Sequence, residues 1–218
     1  MTLKDIISRH ATADDPNGLL LLTLPTGFGK TYYALQYMKE QIQLADGPGQ
    51  NIWFVTTLKK NLPVDDLKVL VGKDLFDQHV LQVKSYVDLV TDYIQKNGEL
   101  PEHAKEIPHA SEMTKWAIQH KACPKDASPD FKRYLYEKLS EAERQFRNAL
   151  KAYLKPKFKG QSEAKGRLNE LRSDKNLRWV EELYPIVAVF EKRVFFSTVR
   201  KFYTQLDTII GPAVQIST

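Results

Sequence analysis

Lys30 and Thr31 close the stretch LLLLTLPTGFGKT, and the residues around them are of the types that phosphate chemistry requires. Gly27 and Gly29 let the backbone curl until its amides point inward at a polyanion. A helix starting at Lys30 adds free N–H groups and the positive end of its dipole. In such a loop Pro25, Thr26, Gly27, Phe28 and Gly29 cradle the phosphates, while the Lys30 ammonium reaches the β/γ-phosphates. The Thr31 hydroxyl then ligates Mg²⁺ carried by ATP, so Lys30 and Thr31 are the candidate catalytic pair. The strict G-x-x-x-x-G-K-[ST] pattern has glycine where this chain has Leu24, and Gly27 supplies the flexibility nearer the phosphates. The structural alternative is a glycine-rich turn between strand and helix that happens to be followed by Lys-Thr.

Two further groups of hydroxyls and cations follow apolar runs. Thr56 ends the run IWFVT and is followed by Thr57, Lys59 and Lys60, and Ser197 ends RVFFS and is followed by Thr198, Arg200 and Lys201. Placed just past the carboxyl ends of parallel strands, such residues are positioned to touch a phosphate backbone, because doubly wound sheets bind ligands along that edge. Thr57 capping the next helix, with the lysines on a solvated face, is the alternative.

The elements that must position these groups alternate. Leu19–Leu24 is a short apolar run that reads as a buried strand. Ala34, Leu35, Met38 and Ile42 then fall on one helical stripe between Lys30 and Gln43. Residues 52–56 read as a second strand covered on both faces, 63–72 as a helix, 80–83 as a third strand and 86–96 as a helix. Beyond Asn97 the rhythm breaks into helical spacing without strand-like runs, as in Phe131, Leu135, Leu139, Phe146 and Leu150. Helix breaks are expected at Pro101, Pro108, Pro124, Pro129 and Pro156. Strand character returns at 193–198. Val199, Phe202, Tyr203, Leu206, Ile209 and Ile210 then fit a helical face that Gly211-Pro212 closes. The pattern is α/β, with a parallel sheet interrupted by an all-helical insertion.

Composition narrows the class. The 218 residues suffice for one good-sized domain or a domain carrying an insertion. No apolar run is long enough to span a membrane and the N-terminus lacks the layout of a signal peptide, so the expected location is cytoplasmic. Cys123 is alone and cannot form an intrachain disulfide. His120 and Cys123 have ligand-like spacing, but no second pair accompanies them. The formal net charge of +5 favours polyanionic partners only mildly. Within the insertion, Lys151, Lys155, Lys157, Lys159, Lys165, Arg167 and Arg172 are interleaved with Tyr153 and Phe158, a mixture able to hold nucleic-acid phosphates and stack on bases. Glu141, Glu143, Glu163 and Glu170 among them equally suit a solvated helix pair.

Taken in order, these residues resemble the first RecA-like domain of superfamily 2 helicases of the DEAD/DEAH-box type. LPTGFGKT is similar to that family's motif I, which tolerates a residue other than glycine at the Leu24 position. IWFVTTLKKNL is similar to motif Ia, and VFFSTVRKFYTQLDTI looks like the strand, turn and helix of motif Ib. The likeness covers roughly residues 15–96 and 186–212. It implies a three-layer αβα P-loop core at 1–96 and 186–218, with residues 97–185 inserted. It also implies that Lys30 and Thr31 serve ATP and Mg²⁺. Thr56, Thr57, Thr198 and Arg200 would then touch one strand of DNA or RNA, and ATP hydrolysis would drive translocation or unwinding.

Hydrolysis in that family also needs an Asp-Glu pair at the end of another strand, to hold Mg²⁺ and position water. No Asp-Glu dipeptide occurs in the 218 residues. Asp65-Asp66, Glu181-Glu182 and Asp207 are the nearest candidates, and none follows a suitable apolar run. The expectation is an ATP-binding N-terminal fragment of a longer helicase, cut before motif II, whose C-terminal RecA-like domain belongs to the same polypeptide. Alone it is expected to be a poor hydrolase. A small-molecule P-loop kinase and a binding or scaffold module with a degenerate ATP site remain the alternatives.

Overall fold

The computed structural model describes residues 5–6, 9–10, 29–44, 51–158, 160–199, 201, 207–208 and 211–212. The expected strand at 19–24 lies outside the described residues. The chain is α/β and divides into two compact units, Met1–Gln82 with Glu191–Val199, and Val83–Phe190 with Arg200–Thr218.

In the first unit, helix α1 spans Lys30–Gln43 and buries Leu35, Met38 and Ile42. They pack with Leu67, Val80, Val194 and Phe196 in one apolar cluster, each such burial contributing about 1.5–3 kcal/mol. Strand β1 is Ile52–Thr56, followed by a 3-10 turn at Lys59–Asn61 and helix α2 at Val64–Val71. Helix α3, Lys73–His79, leads into strand β2, Val80–Gln82, and strand β3 is Val194–Thr198. The spacing did not foresee α3, because its seven residues bury no side chain and so carry no apolar stripe. The three strands are parallel in the order β1-β3-β2. The central strand β3 is buried from Val194 to Ser197, which accounts for its unbroken apolar run.

The second unit is helical: α4 Tyr86–Asn97, α5 Glu102–Lys105, α6 Ala110–Lys121, α7 Pro129–Leu154, α8 Ala164–Ser173 and α9 Arg178–Leu183. Local sequence sets its boundaries. Ser85 and Asp88 form a reciprocal capping box on α4, and Ser128 caps α7 through the Phe131 amide with Pro129 in the first turn. Its core includes Val90, Met113, Leu139, Phe146, Leu150 and Leu168. Helix α4 belongs here because Val87, Val90, Tyr93 and Ile94 join this cluster, so the units part after Gln82 whereas periodicity placed the break after residue 96.

Of the helix expected through Ile210, Val199 and Lys201 are helical, residues 202–206 and 209–210 lie outside the described residues, and Asp207–Thr208 is strand. Asp207–Thr208 pairs antiparallel with Gly211–Pro212 as two short strands. Thr208 is β-branched, and Pro212 has no N–H to continue a helix but is tolerated on a two-stranded edge.

Inside the helical core lies a charge. Glu143 is 2% exposed, accepts from Arg147 Nε at 2.9 Å and from the Tyr184 hydroxyl at 3.0 Å, and the Arg147 guanidinium lies over the Tyr86 ring at 4.0 Å. Burial lifts the Glu143 carboxyl above its ordinary range despite the opposing pull of Arg147, Tyr184 and Lys151. Arg147→Met should lower the unfolding free energy by about 3–5 kcal/mol in urea titrations, because it strands a buried charge. The sign of the pH effect follows from the raised carboxyl. Its contribution is full below the unfolded carboxylate pKa of about 4 and is lost as pH rises through the folded value. The stability difference between wild type and Glu143→Gln should therefore shrink as pH increases above about 4. A difference that grows instead would show that the Arg147 pair, not burial, governs this group.

Candidate functional site

Residues Pro25, Thr26, Gly27 and Phe28 lie outside the described residues, so the candidate phosphate loop is described from Gly29 onward. Gly29 is the N-cap of α1 with φ 74° and ψ 18°, a left-handed conformation. Its carbonyl accepts the Tyr33 amide at 3.0 Å, and a Cβ added at Gly29 would meet the Tyr33 ring at 3.4 Å. Lys30 and Thr31 occupy the first helical turn and are exposed. No acidic residue stands in that turn, and its N-cap, a glycine, has no side chain to cap it. That combination suits an anion: a glycine-shaped turn, a helix start, a cation and a hydroxyl.

At the sheet edge the register pairs Thr56 with Thr198, placing both at the carboxyl ends of adjacent parallel strands. The structure thus brings together two of the residues expected to contact a nucleic-acid backbone. Thr57, Lys59 and Lys60 follow on the exposed turn after β1. The Thr56 hydroxyl donates to the Leu58 carbonyl at 2.7 Å, which shapes this turn. Ser197 is fully buried and donates to the Thr198 carbonyl at 3.1 Å, so it faces no ligand. Arg200 lies outside the described residues.

The nearest carboxylates have other partners or positions. Asp65 and Asp66 are exposed in the first turn of α2, where they complement its dipole. Glu181 receives Arg172 at 2.6 and 2.8 Å, and Glu182 lies 3.8 Å from Lys96.

The basic run of the helical unit does not act as one surface. Phe158 is only 7% exposed and packs in the core beneath the Arg167 guanidinium, so it cannot stack on a base. Its burial was not legible because aromatic spacing alone does not separate a core ring from an exposed one. Tyr153 is half-buried under the Lys157 ammonium, 4.7 Å from the ring centre. His120 packs beside Tyr136, with Nδ1 3.5 Å from the Thr91 hydroxyl. Among the described residues no three His, Cys, Asp or Glu side chains gather as a metal site, and no helix is long and apolar enough to cross a membrane. Comparison with protein-family models and with curated protein sequences finds no match.

The strained position generates a test. Gly29→Ala should lower stability by about 1–2 kcal/mol, the cost of a left-handed non-glycine residue, and Gly29→Asn by less, since asparagine enters that region more readily. Urea titration of both variants measures the difference.

Proposed function

We propose that the chain is the nucleotide-binding part of a nucleic-acid-dependent ATPase of the helicase or translocase kind. The observation that carries this reading is the start of α1: a left-handed Gly29 directly before exposed Lys30 and Thr31, on a helix whose first turn holds no acidic residue. ATP with Mg²⁺ fits this arrangement, since Gly29 leaves the backbone without the side chain that would strain it. Lys30 would hold the terminal phosphates and Thr31 the metal, with the backbone from Pro25 to Gly29 around them. Bound Mg²⁺ would supply neutralisation of the charge that develops on the phosphoryl oxygens.

A RecA-like core is consistent with a parallel β1-β3-β2 sheet whose carboxyl edge carries Thr56 and Thr198 side by side. Thr57, Lys59 and Lys60 extend that edge with donors and positive charge, the chemistry that a DNA or RNA backbone accepts. Positioning of the attacking water requires a carboxylate beside the phosphates, and the chain has no Asp-Glu dipeptide to provide the helicase arrangement.

Binding and cleavage should accordingly separate. Titration calorimetry with ATP and Mg²⁺ is expected to detect binding by the wild type and at least a tenfold loss in Lys30→Ala, which is about 1.4 kcal/mol. Unchanged affinity in Lys30→Ala would refute the phosphate-loop assignment. Turnover should remain far below the typical enzyme value of about 10 per second. Stimulation by a small hydroxyl acceptor and not by polynucleotide would point instead to a kinase.

A further inference from the structure

We infer that the cavity at the carboxyl end of α7 is a second phosphate site, one that holds the phosphodiester backbone of a nucleic-acid strand. The inference shares with the ATPase reading only its partner and does not depend on nucleotide binding at Lys30. The cavity measures about 480 Å³ and is lined by Lys151, Lys155 and Arg167, with Gln161 and Ser162 on one wall and Phe158 behind them. No acidic side chain lines it. Lys151 and Lys155 are one helical turn apart, and the chain then reverses so that Arg167 from α8 faces the same space.

The reversal is built rather than loose. The Gln161 amide donates to the Phe158 carbonyl at 2.8 Å, around Gly160 at φ 80°. Arg167 Nε in turn donates to the Gln161 carbonyl at 2.8 Å. Helix α8 carries Gly166 in its interior, normally an unfavourable choice. A Cβ there would come within 2.6 Å of the Gln161 side-chain oxygen, so glycine leaves room for the amide that lines the cavity.

The lining chemistry identifies the ligand class. Arginine, lysine, serine and glutamine side chains, with backbone N–H groups at a helix start, are the donors that phosphate oxygens receive in nucleic-acid interfaces. Glu163 is the N-cap of α8 but its side chain makes no capping bond, and no acidic residue follows in the first turn. At about 480 Å³ the cavity has room for a phosphate together with its sugar. Three cations from two elements also match a chain of repeating charge better than a single carboxylate. The basic run was visible in the sequence; what the fold adds is that Lys151, Lys155 and Arg167 line one cavity, Arg167 held there by its bond to Gln161, while Lys157 lies over Tyr153 and Arg172 pairs with Glu181.

Fluorescence anisotropy of the intact chain with a labelled single-stranded oligonucleotide, without nucleotide and across a salt series, tests this. Lys155→Glu and the milder Lys151→Gln/Lys155→Gln pair should weaken binding throughout. They should also reduce the slope of log affinity against log salt by roughly 0.7 for each phosphate no longer neutralised. The same charge reversal at Lys175, which does not line the cavity, should leave affinity and slope at wild-type values. ATP affinity should be unchanged in all three variants, and Lys30→Ala should still bind the oligonucleotide, so failure at one site is distinguishable from failure at the other. Wild-type affinity and slope in both cavity variants would overturn the inference. Binding of inorganic phosphate or of a poly-glutamate peptide at this cavity, with none of the oligonucleotide, would overturn it as well.

Discussion

Strand β3 is hydrogen-bonded to β1 on one side and β2 on the other, and the described sheet-edge groups of the first unit take their places from those two parallel ladders. Parallel pairing of strands so distant in sequence is entropically costly, although the cost of closing a loop rises only logarithmically with its length. Side-chain packing along the ladder offsets it. Trp53 stacks on Phe195 with ring centres 4.5 Å apart, and Phe54 lies against Phe196 at 5.6 Å. Register is pinned where β3 begins. The Arg193 amide donates to the His79 carbonyl, its own carbonyl accepts the Ile52 amide, and Lys192 Nζ donates to the carbonyls of Asp77 and Gln78. A slip of one residue would invert every β3 side chain, exposing Phe196 and separating Thr198 from Thr56.

The long helical segment between β2 and β3 is tolerable because it orders itself. Its core is continuous from α4 to the residues after α9, so the ordering of those helices is offset by their own apolar burial and does not fall on the sheet. The buried Glu143 cluster runs against that pattern, since an apolar replacement of matched shape often stabilises a core. Its geometry suggests what it contributes. Glu143 and Arg147 sit one turn apart on α7, and Tyr184 lies in the segment after α9, so the carboxylate ties the longest helix to the end of the unit in one rotational setting. Apolar packing alone would fix that setting less uniquely, because it is not directional.

Most of the elements were legible because each carries a local signature. The α1 stripe, the helix from residue 86 and the apolar run of β3 all follow from neighbouring residues and end within a residue of where they were expected. What failed depended on partners distant in sequence. Helix α3 has no stripe, α4 joins the helical core through packing that no local period encodes, and Asp207–Thr208 pairs with Gly211–Pro212 where periodicity alone favoured helix. At the candidate site the residue types were readable, but their availability was not. Ser197 and Thr198 are adjacent in the same motif, yet β3 is covered on both faces through Ser197 and only Thr198, at the strand's end, is partly exposed. The Lys and Arg residues of α7 and α8 looked like one stripe, and only the chain reversal at Gly160 separates those that converge from those that pair elsewhere.

The two proposed sites would approach phosphate by different physics. At Gly29 the attraction would come from oriented amides and a helix end, fixed dipoles that carry no net charge, with the single Lys30 ammonium beside them. At Lys151, Lys155 and Arg167 it comes from whole charges on flexible or partly exposed side chains, whose neighbouring anions must be released when a polyanion binds. A dipolar cradle is geometrically strict: it suits one compact group whose oxygens meet several amides at once. Mobile cations are geometrically lax but sum along a repeating backbone. A ligand that must be held in one pose for chemistry therefore suits the first arrangement, and a strand that must be gripped and released without regard to sequence suits the second. Salt then acts on them unequally, weakening the grip on a strand well before it disturbs a nucleotide held mainly by backbone dipoles.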